Sequence, residues 1–169
     1  TSSSELDRGQ ILSPVLTIDS KRLFLESAFG QRVAAQIEAR GTVLAAENRK
    51  IEADLEAEEK ELTVRRTEME PAAFRALADA FDKKVQETRL TQDAKTQELS
   101  QLRDANRRVF LRTARPVLEE LMRESGAGVI LDRDKIFLSA NATDITDIAI
   151  ERINSVLGDG AQMDDDGSP

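Results

Sequence analysis

The sequence of 169 residues contains no histidine and no cysteine. These absences remove the most common general base, the activated thiol and the two side chains that bind transition metals best. The eight glycines are scattered and form neither a GxGxxG nor a GxxxxGK loop, the usual phosphate-binding patterns. The sequence therefore predicts no metal site, no cofactor and no enzymatic activity.

Aromatic residues are scarce, at 4%, and 33% of the residues are charged. A chain of this composition does not fill a broad hydrophobic core. No apolar run approaches the roughly 18 residues that span a membrane. We expect a narrow helical molecule that gains hydrophobic core by oligomerising.

The net charge of −8 comes from the two ends of the chain. Residues 20–125 contain 20 basic and 20 acidic residues, so this stretch is neutral. Nucleic acid is not an expected partner, because phosphate binding requires a concentrated basic face.

Residues 20–125 have helical spacing that is interrupted at Pro71. Proline is tolerated in the first turn of a helix but not in its interior, so Pro71 predicts the tip of a long antiparallel helical hairpin. Pro116, near the end of the second helix, predicts either a kink or the end of that helix.

Charged residues support this hairpin. If the chain turns back at Pro71, facing residues have numbers that sum to about 142. This register pairs Glu58 with Lys84 and Glu59 with Lys83. Each exposed ion pair contributes only about 0 to 1 kcal/mol, but several together favour one register.

Apolar residues recur at heptad spacing along both helices, as in a coiled coil. Six of those nearest the tip are candidates for contact with a bound protein: Leu62, Met69, Phe74, Leu77, Phe81 and Val85. They either pack the two helices together or, where two helices are too thin to bury them, form an apolar lining for a partner. Between Val85 and Leu99 the facing positions are Thr88, Gln92 and Lys95, so this middle stretch is expected to be held weakly.

The ends of the chain predict a small β-sheet. Residues 15–19 form a short strand, and residues 128–132 and 135–139 flank a two-residue turn, which predicts a β-hairpin. So small a sheet, with apolar residues on both faces, needs other subunits to bury it. The candidates for this assembly surface are Leu16, Ile18, Val129, Ile130, Leu131, Ile136, Phe137 and Leu138.

These patterns predict an α+β chain that is mainly helical. Residues 1–14 and 159–169 are expected to be flexible tails, the second one acidic, and residues 15–19 and 126–158 to form the β-containing body. The segment 144–158 predicts a helix, with Asp144 or Thr146 at its start and Gly158 at its end.

Two pairs of carboxylates are the only candidates for catalysis or cation binding. Asp132 and Asp134 lie in the predicted turn, and Asp144 and Asp147 lie at a helix start. Aspartate is favoured in both places for its hydrogen bonds to the backbone, and this is the interpretation we prefer.

Both ends of the chain resemble the Skp/OmpH family of periplasmic chaperones. The matching segments are LTID at 16–19, RLF at 22–24, ESAFG at 26–30, residues 128–138, DITD at 144–147 and Ile153. Together with the charged arms between them, the resemblance covers residues 15–157.

This resemblance implies a homotrimer with a barrel-like β body and three helical tentacles around a cavity. The implied partners are unfolded outer-membrane β-barrel proteins, held without ATP in the periplasm, and the implied signal peptide has been removed. Typical members have basic arms, whereas residues 20–125 here are neutral. Binding to lipopolysaccharide or to a membrane surface is therefore doubtful.

A second hypothesis is a static coiled-coil scaffold or adaptor that docks one folded partner. It predicts stiff arms and a fixed stoichiometry. The polar middle of the second helix and Gly41 in the first helix argue against stiff arms.

Overall fold

A computed structural model describes residues 14–163. The elements in chain order are β1 (Val15–Ile18), α1 (Ser20–Glu26), α2 (Ala28–Arg65), α3 (Pro71–Glu124), β2 (Val129–Asp132) and α4 (Thr146–Leu157). Two short 3₁₀ helices, Arg133–Lys135 and Asn141–Thr143, lie between β2 and α4. None of the helices in this described range is long and apolar enough to cross a membrane. Of the predicted tails, 1–14 and 159–169, residues 1–13 and 164–169 lie outside the described residues.

The chain divides into two units, which we call the body unit and the arm unit. The body unit includes the described residues 14–34 and 105–163, and the arm unit consists of residues 35–104. Both α2 and α3 contribute to each unit.

Three phenylalanine rings form the centre of the body unit. The ring centroids of Phe24 and Phe110 are 5.3 Å apart, and those of Phe29 and Phe110 are 5.5 Å apart. The remaining buried apolar residues are Leu16, Ile18, Leu23, Val33, Ala114, Val117, Leu121, Ile145, Ala149 and Ile153. Every buried apolar residue of the described chain therefore belongs to the body unit.

The two strands pair with each other in parallel. Val15 lies opposite Val129 and Ile18 lies opposite Asp132. The predicted pairing of the first strand with a segment near the other end is confirmed, but the predicted β-hairpin is wrong. Residues 133–135 form a 3₁₀ helix, and residues 136–139 are not a strand, because the Asp132 side chain caps this 3₁₀ helix by accepting a hydrogen bond from Asp134 N.

The helical stretch has a second interruption that the sequence analysis missed. Ser27 is extended and separates α1 from α2. Its hydroxyl accepts a hydrogen bond from Gly30 N at 3.1 Å and donates one to the Phe24 carbonyl oxygen at 2.7 Å, as an N-cap serine does. A Cβ at Gly30 would lie 1.7 Å from the same carbonyl oxygen, so only glycine fits here.

Pro116 does not end the second helix, because α3 continues through it to Glu124. The alternative of a separate short helix after Pro116 is therefore wrong. The last helix of the described residues, α4, begins at Thr146 and ends at Leu157, and its C-cap is Gly158, whose φ is 57°. The Thr146 hydroxyl accepts a hydrogen bond from Asp19 N at 2.9 Å and so links α4 to the N-cap residue of α1.

Within the arm unit, two ion pairs join α2 to α3. Lys84 pairs with Glu58, and Lys95 Nζ lies 2.6 Å from Glu47 Oε1. In both pairs the residue numbers sum to 142, the value expected for a chain that turns back at Pro71. The other predicted pair, Glu59 with Lys83, does not form, and Lys83 instead lies 3.7 Å from Glu87 of its own helix.

Candidate functional site

The six apolar candidates of the arm unit are all half-buried: Leu62, Met69, Phe74, Leu77, Phe81 and Val85. In residues 35–104, all of which the structure describes, no side chain is fully buried. Two packed helices have no third layer to cover their contact, so apolar atoms of these side chains stay accessible.

Four of these candidates line grooves of the arm unit. Leu62, Leu77 and Phe81 line a groove of about 570 Å³. Phe81 and Val85 line another of about 590 Å³. The structure thus brings these four side chains together around Phe81, whereas Met69 and Phe74 line neither groove.

The arm candidates near Pro71 have different surroundings. The Arg66 guanidinium carbon lies 6.0 Å from the centroid of the Phe74 ring, at the outer limit of a cation–π contact. Met69 lies in the segment between α2 and α3. Met69 therefore belongs to the turn, and Phe74 to the first turn of α3.

The middle of the contact between α2 and α3 is polar. Thr88, Gln92 and Lys95 are half-buried there. The side-chain oxygens of Asn48 and Gln92 are buried, and neither has a hydrogen-bond partner in the described part of the chain. A buried polar atom without a partner reduces stability, so these residues weaken the helix contact where the sequence predicts it to be weak.

Three exposed apolar residues of the arm unit were missed by the sequence analysis. Val43, Val64 and Leu90 are all well exposed. They lie outside the heptad positions that face the other helix, and their apolar character at solvent-facing positions was the available signal.

The predicted assembly residues divide into three groups by their burial. Leu16 and Ile18 are buried in the protomer's own core, so they are not accessible to another subunit. Ile130 and Ile136 are half-buried. The exposed members are Val129, Leu131, Phe137 and Leu138.

A groove of about 480 Å³ in the body unit has β2 along one side. Val129 and Ile130 line it from β2, and Leu111, Leu118 and Met122 line it from α3. The sequence analysis missed the three residues from α3, because they lie on a helix that it assigned to the arm. Their side chains give this edge of the body unit an apolar surface.

The carboxylate of Asp132 fixes the end of β2. It accepts hydrogen bonds from the Ser20 hydroxyl at 2.5 Å and from the backbone N of Ser20 and of Asp134, each at 3.5 Å. Burial opposes the charged form, but these hydrogen bonds outweigh it, so the pKa of Asp132 is lowered from its usual value. The geometry is that of a turn and capping residue.

Asp144 is a turn residue just before α4, but the N-cap of this helix is Ile145, and not Asp144 or Thr146. Its carboxylate accepts a hydrogen bond from Thr146 N at 2.9 Å and forms an ion pair with Arg133. Burial acts to raise the pKa of Asp144, but the hydrogen bonds from Thr146 and Arg133 dominate and lower it. The Asp147 carboxylate forms an ion pair with Arg22 at 2.8 Å. The two carboxylates of this candidate pair, Asp144 and Asp147, thus have different basic partners. Between residues 14 and 163, no three acidic side chains are grouped to hold a metal ion.

Comparison with known proteins gives one family and one fold. The model of the family "Outer membrane protein (OmpH-like)" matches residues 14–153. A crystal structure of a protein from Caulobacter crescentus CB15, described as an OmpH-like outer membrane chaperone, is similar in fold, with a TM-score of 0.76 and 20% sequence identity over 85% of each chain. Among curated proteins, none matches the sequence.

Proposed function

Because the chain belongs to the OmpH-like outer membrane protein family, we propose that it is an ATP-independent holdase chaperone for unfolded outer-membrane β-barrel proteins in the periplasm. The observation that carries this proposal is that, within the arm unit, none of the apolar side chains at the contact between α2 and α3 is fully buried. An unfolded barrel protein exposes apolar strands and unpaired backbone groups, which associate with other copies in water. Weak apolar contacts with the chaperone prevent that association and leave the client mobile.

The arm unit favours a protein that holds other proteins over an enzyme that converts a small molecule. Its grooves combine apolar floors around Phe81 with charged rims, so they offer contact without deep enclosure of a small molecule. The polar positions Asn48 and Gln92 weaken the helix contact, which favours an arm that adapts to clients of different size. A stiff adaptor with one folded partner does not require this weak middle.

We also propose that three copies assemble through the body unit, each with its antiparallel helical hairpin, to surround one client. Phe137 and Leu138 support assembly, because they are fully or almost fully exposed in a single copy. The groove beside β2 is a second apolar surface of the same unit. Large exposed apolar surfaces of this kind mark contacts with other proteins. Several arms on one client also bind more tightly than one arm does, through multivalency.

The test is an aggregation assay with a purified outer-membrane barrel protein diluted from urea. The chain should suppress light scattering without nucleotide, at about three copies per client. The matched variant Phe81→Ser/Val85→Ser should suppress it less, whereas Leu25→Ser on α1, an exposed residue of the body unit, should not change it. Undiminished aggregation in the presence of the unaltered chain would refute the holdase proposal.

A further inference from the structure

One groove of the arm unit combines an apolar floor with a rim of carboxylates. It measures about 590 Å³, and we call it the acidic groove. Its floor consists of Ile51, Leu55, Phe81 and Val85. Its charged side chains are Glu52, Glu56 and Glu59 from α2, and Asp82, Asp93 and Arg89 from α3. Five carboxylates thus surround an apolar surface, with a single basic residue among them.

Most of these carboxylates have no basic partner within the chain. Glu56 pairs with Lys60 at 2.7 Å. In the described chain, no ion pair is made by the other four carboxylates, Glu52, Glu59, Asp82 and Asp93. Unpaired charges of one sign along a groove repel one another, and a cationic ligand relieves that repulsion.

A second groove of the same unit provides an internal comparison. It measures about 570 Å³ and shares Phe81 with the acidic groove. Its basic residues are both paired, Lys84 with Glu58 and Arg65 with Glu61, which leaves Asp54 as its only unpaired carboxylate. The second groove thus has one more carboxylate than basic residues, whereas the acidic groove has four more.

We propose that the acidic groove binds basic amphipathic segments of the client, an inference that rests on the proposed holdase function. Strands of outer-membrane barrels alternate apolar residues with residues that face the barrel lumen. When those lumen-facing residues are Lys or Arg, the apolar side chains contact the floor around Phe81 and Val85. The long basic side chains then reach the carboxylates of the rim. Strands with Asp or Glu at the same positions bind less well.

Two fluorescein-labelled peptides of about ten residues, the length of one barrel strand, test this preference. They share the same alternating apolar residues and carry either Lys or Glu at the positions between them. Fluorescence anisotropy with the full chain at low salt should show tighter binding of the Lys peptide. The preference should shrink as salt is raised, because screening weakens exposed charge pairs.

Neutralising variants locate the effect. Glu59→Gln/Asp82→Asn should weaken binding of the Lys peptide by about 2- to 30-fold, from two exposed ion pairs. Asp54→Asn/Glu61→Gln makes the same change in net charge at the second groove and should alter binding by less than about twofold. Equal affinity for the two peptides, or equal losses in the two variants, would overturn the inference.

A second copy of this chain is the competing occupant. If Glu59→Gln/Asp82→Asn changes the sedimentation of the chain without peptide, the groove is a contact between copies and the inference is wrong. The aggregation assay separates this inference from the proposed function. Suppressed aggregation without a charge preference contradicts only the inference, whereas Lys-peptide preference with undiminished aggregation contradicts only the holdase function.

Discussion

Replacing Phe137 and Leu138 with serine should dissociate the proposed trimer while leaving each protomer folded. These side chains are 106% and 85% exposed in a single copy, so they contribute almost nothing to its own core. They follow the 3₁₀ helix that Asp132 caps, which keeps them out of the two-stranded sheet. Their apolar surface is thus available to a neighbouring subunit.

The size of the effect follows from this exposure. Full burial of one large apolar side chain contributes about 1.5 to 3 kcal/mol. The pair therefore contributes about 3 to 6 kcal/mol per protomer if assembly buries both side chains. A loss of that size weakens association by about 10² to 10⁴-fold for each interface.

Native mass spectrometry and sedimentation velocity over a concentration series measure this change. The unaltered chain should be a trimer, and Phe137→Ser/Leu138→Ser should be monomeric at the same concentration. Leu25→Ser/Val156→Ser is the matched control, because these residues of α1 and α4 are 61% and 60% exposed but lie outside the predicted assembly surface. Far-ultraviolet circular dichroism should show unchanged helix content in both variants.

Two results would refute the reasoning. A trimer that persists in Phe137→Ser/Leu138→Ser with unchanged affinity would show that these side chains are not part of the interface. Equal dissociation of the control variant would show that general surface hydrophobicity, not this segment, drives association.

Three further predictions concern the body unit. Phe110→Ala should lower the free energy of unfolding by about 3 to 5 kcal/mol in urea titrations, because the ring is fully buried. Gly160→Ala should lower the thermal midpoint strongly, since a Cβ there would lie 2.2 Å from Phe29 Cδ2. Gly126→Ala has a similar positive φ but open space around it, so it should lower the midpoint less. The lowered pKa of Asp144 stabilises the fold above the unfolded-state pKa of about 3.9, and this contribution is lost as pH falls through the folded-state value. Asp144→Asn should therefore be less stable than the unaltered chain at pH 7, with a difference that shrinks in urea titrations below about pH 4.

The arm unit was largely predictable because its determinants are local. Heptad spacing places the facing residues, and the turn at Pro71 fixes which ones face each other, so the Glu58–Lys84 pair was found from residue numbers alone. Lys83 was assigned wrongly because it reaches Glu87 one turn along its own helix. An ion pair within one helix can replace an ion pair between two helices with little change in free energy.

The sheet was less predictable because its pairing is not local. The partner of β2 is β1, which lies more than a hundred residues earlier in the chain. The alternation of apolar and polar residues within a strand does not specify which segment the strand pairs with, or whether the pairing is parallel or antiparallel. Residues 133 and 134 offered the spacing of a two-residue hairpin turn but lacked its usual glycine, and the carboxylate of Asp132 supplied a competing cap. Residues 159 and 160, assigned to the tail, pack on the body unit, where Arg32 Nε donates a hydrogen bond to the Asp159 carbonyl oxygen at 2.6 Å.

The placement of the six phenylalanines separates the two proposed surfaces. Phe24, Phe29 and Phe110 are buried in the body core, Phe74 and Phe81 are half-buried in the arm unit, and Phe137 is exposed. Half of the aromatic residues in a chain poor in aromatics thus remain accessible, which is costly unless another protein covers them. Phe81 and Phe137 lie in different units, so changes at Phe137 should abolish assembly without removing the arm's apolar floor. Changes at Phe81 should weaken client holding in an intact trimer, and a variant of either residue that lost both properties would mean that holding depends on assembly.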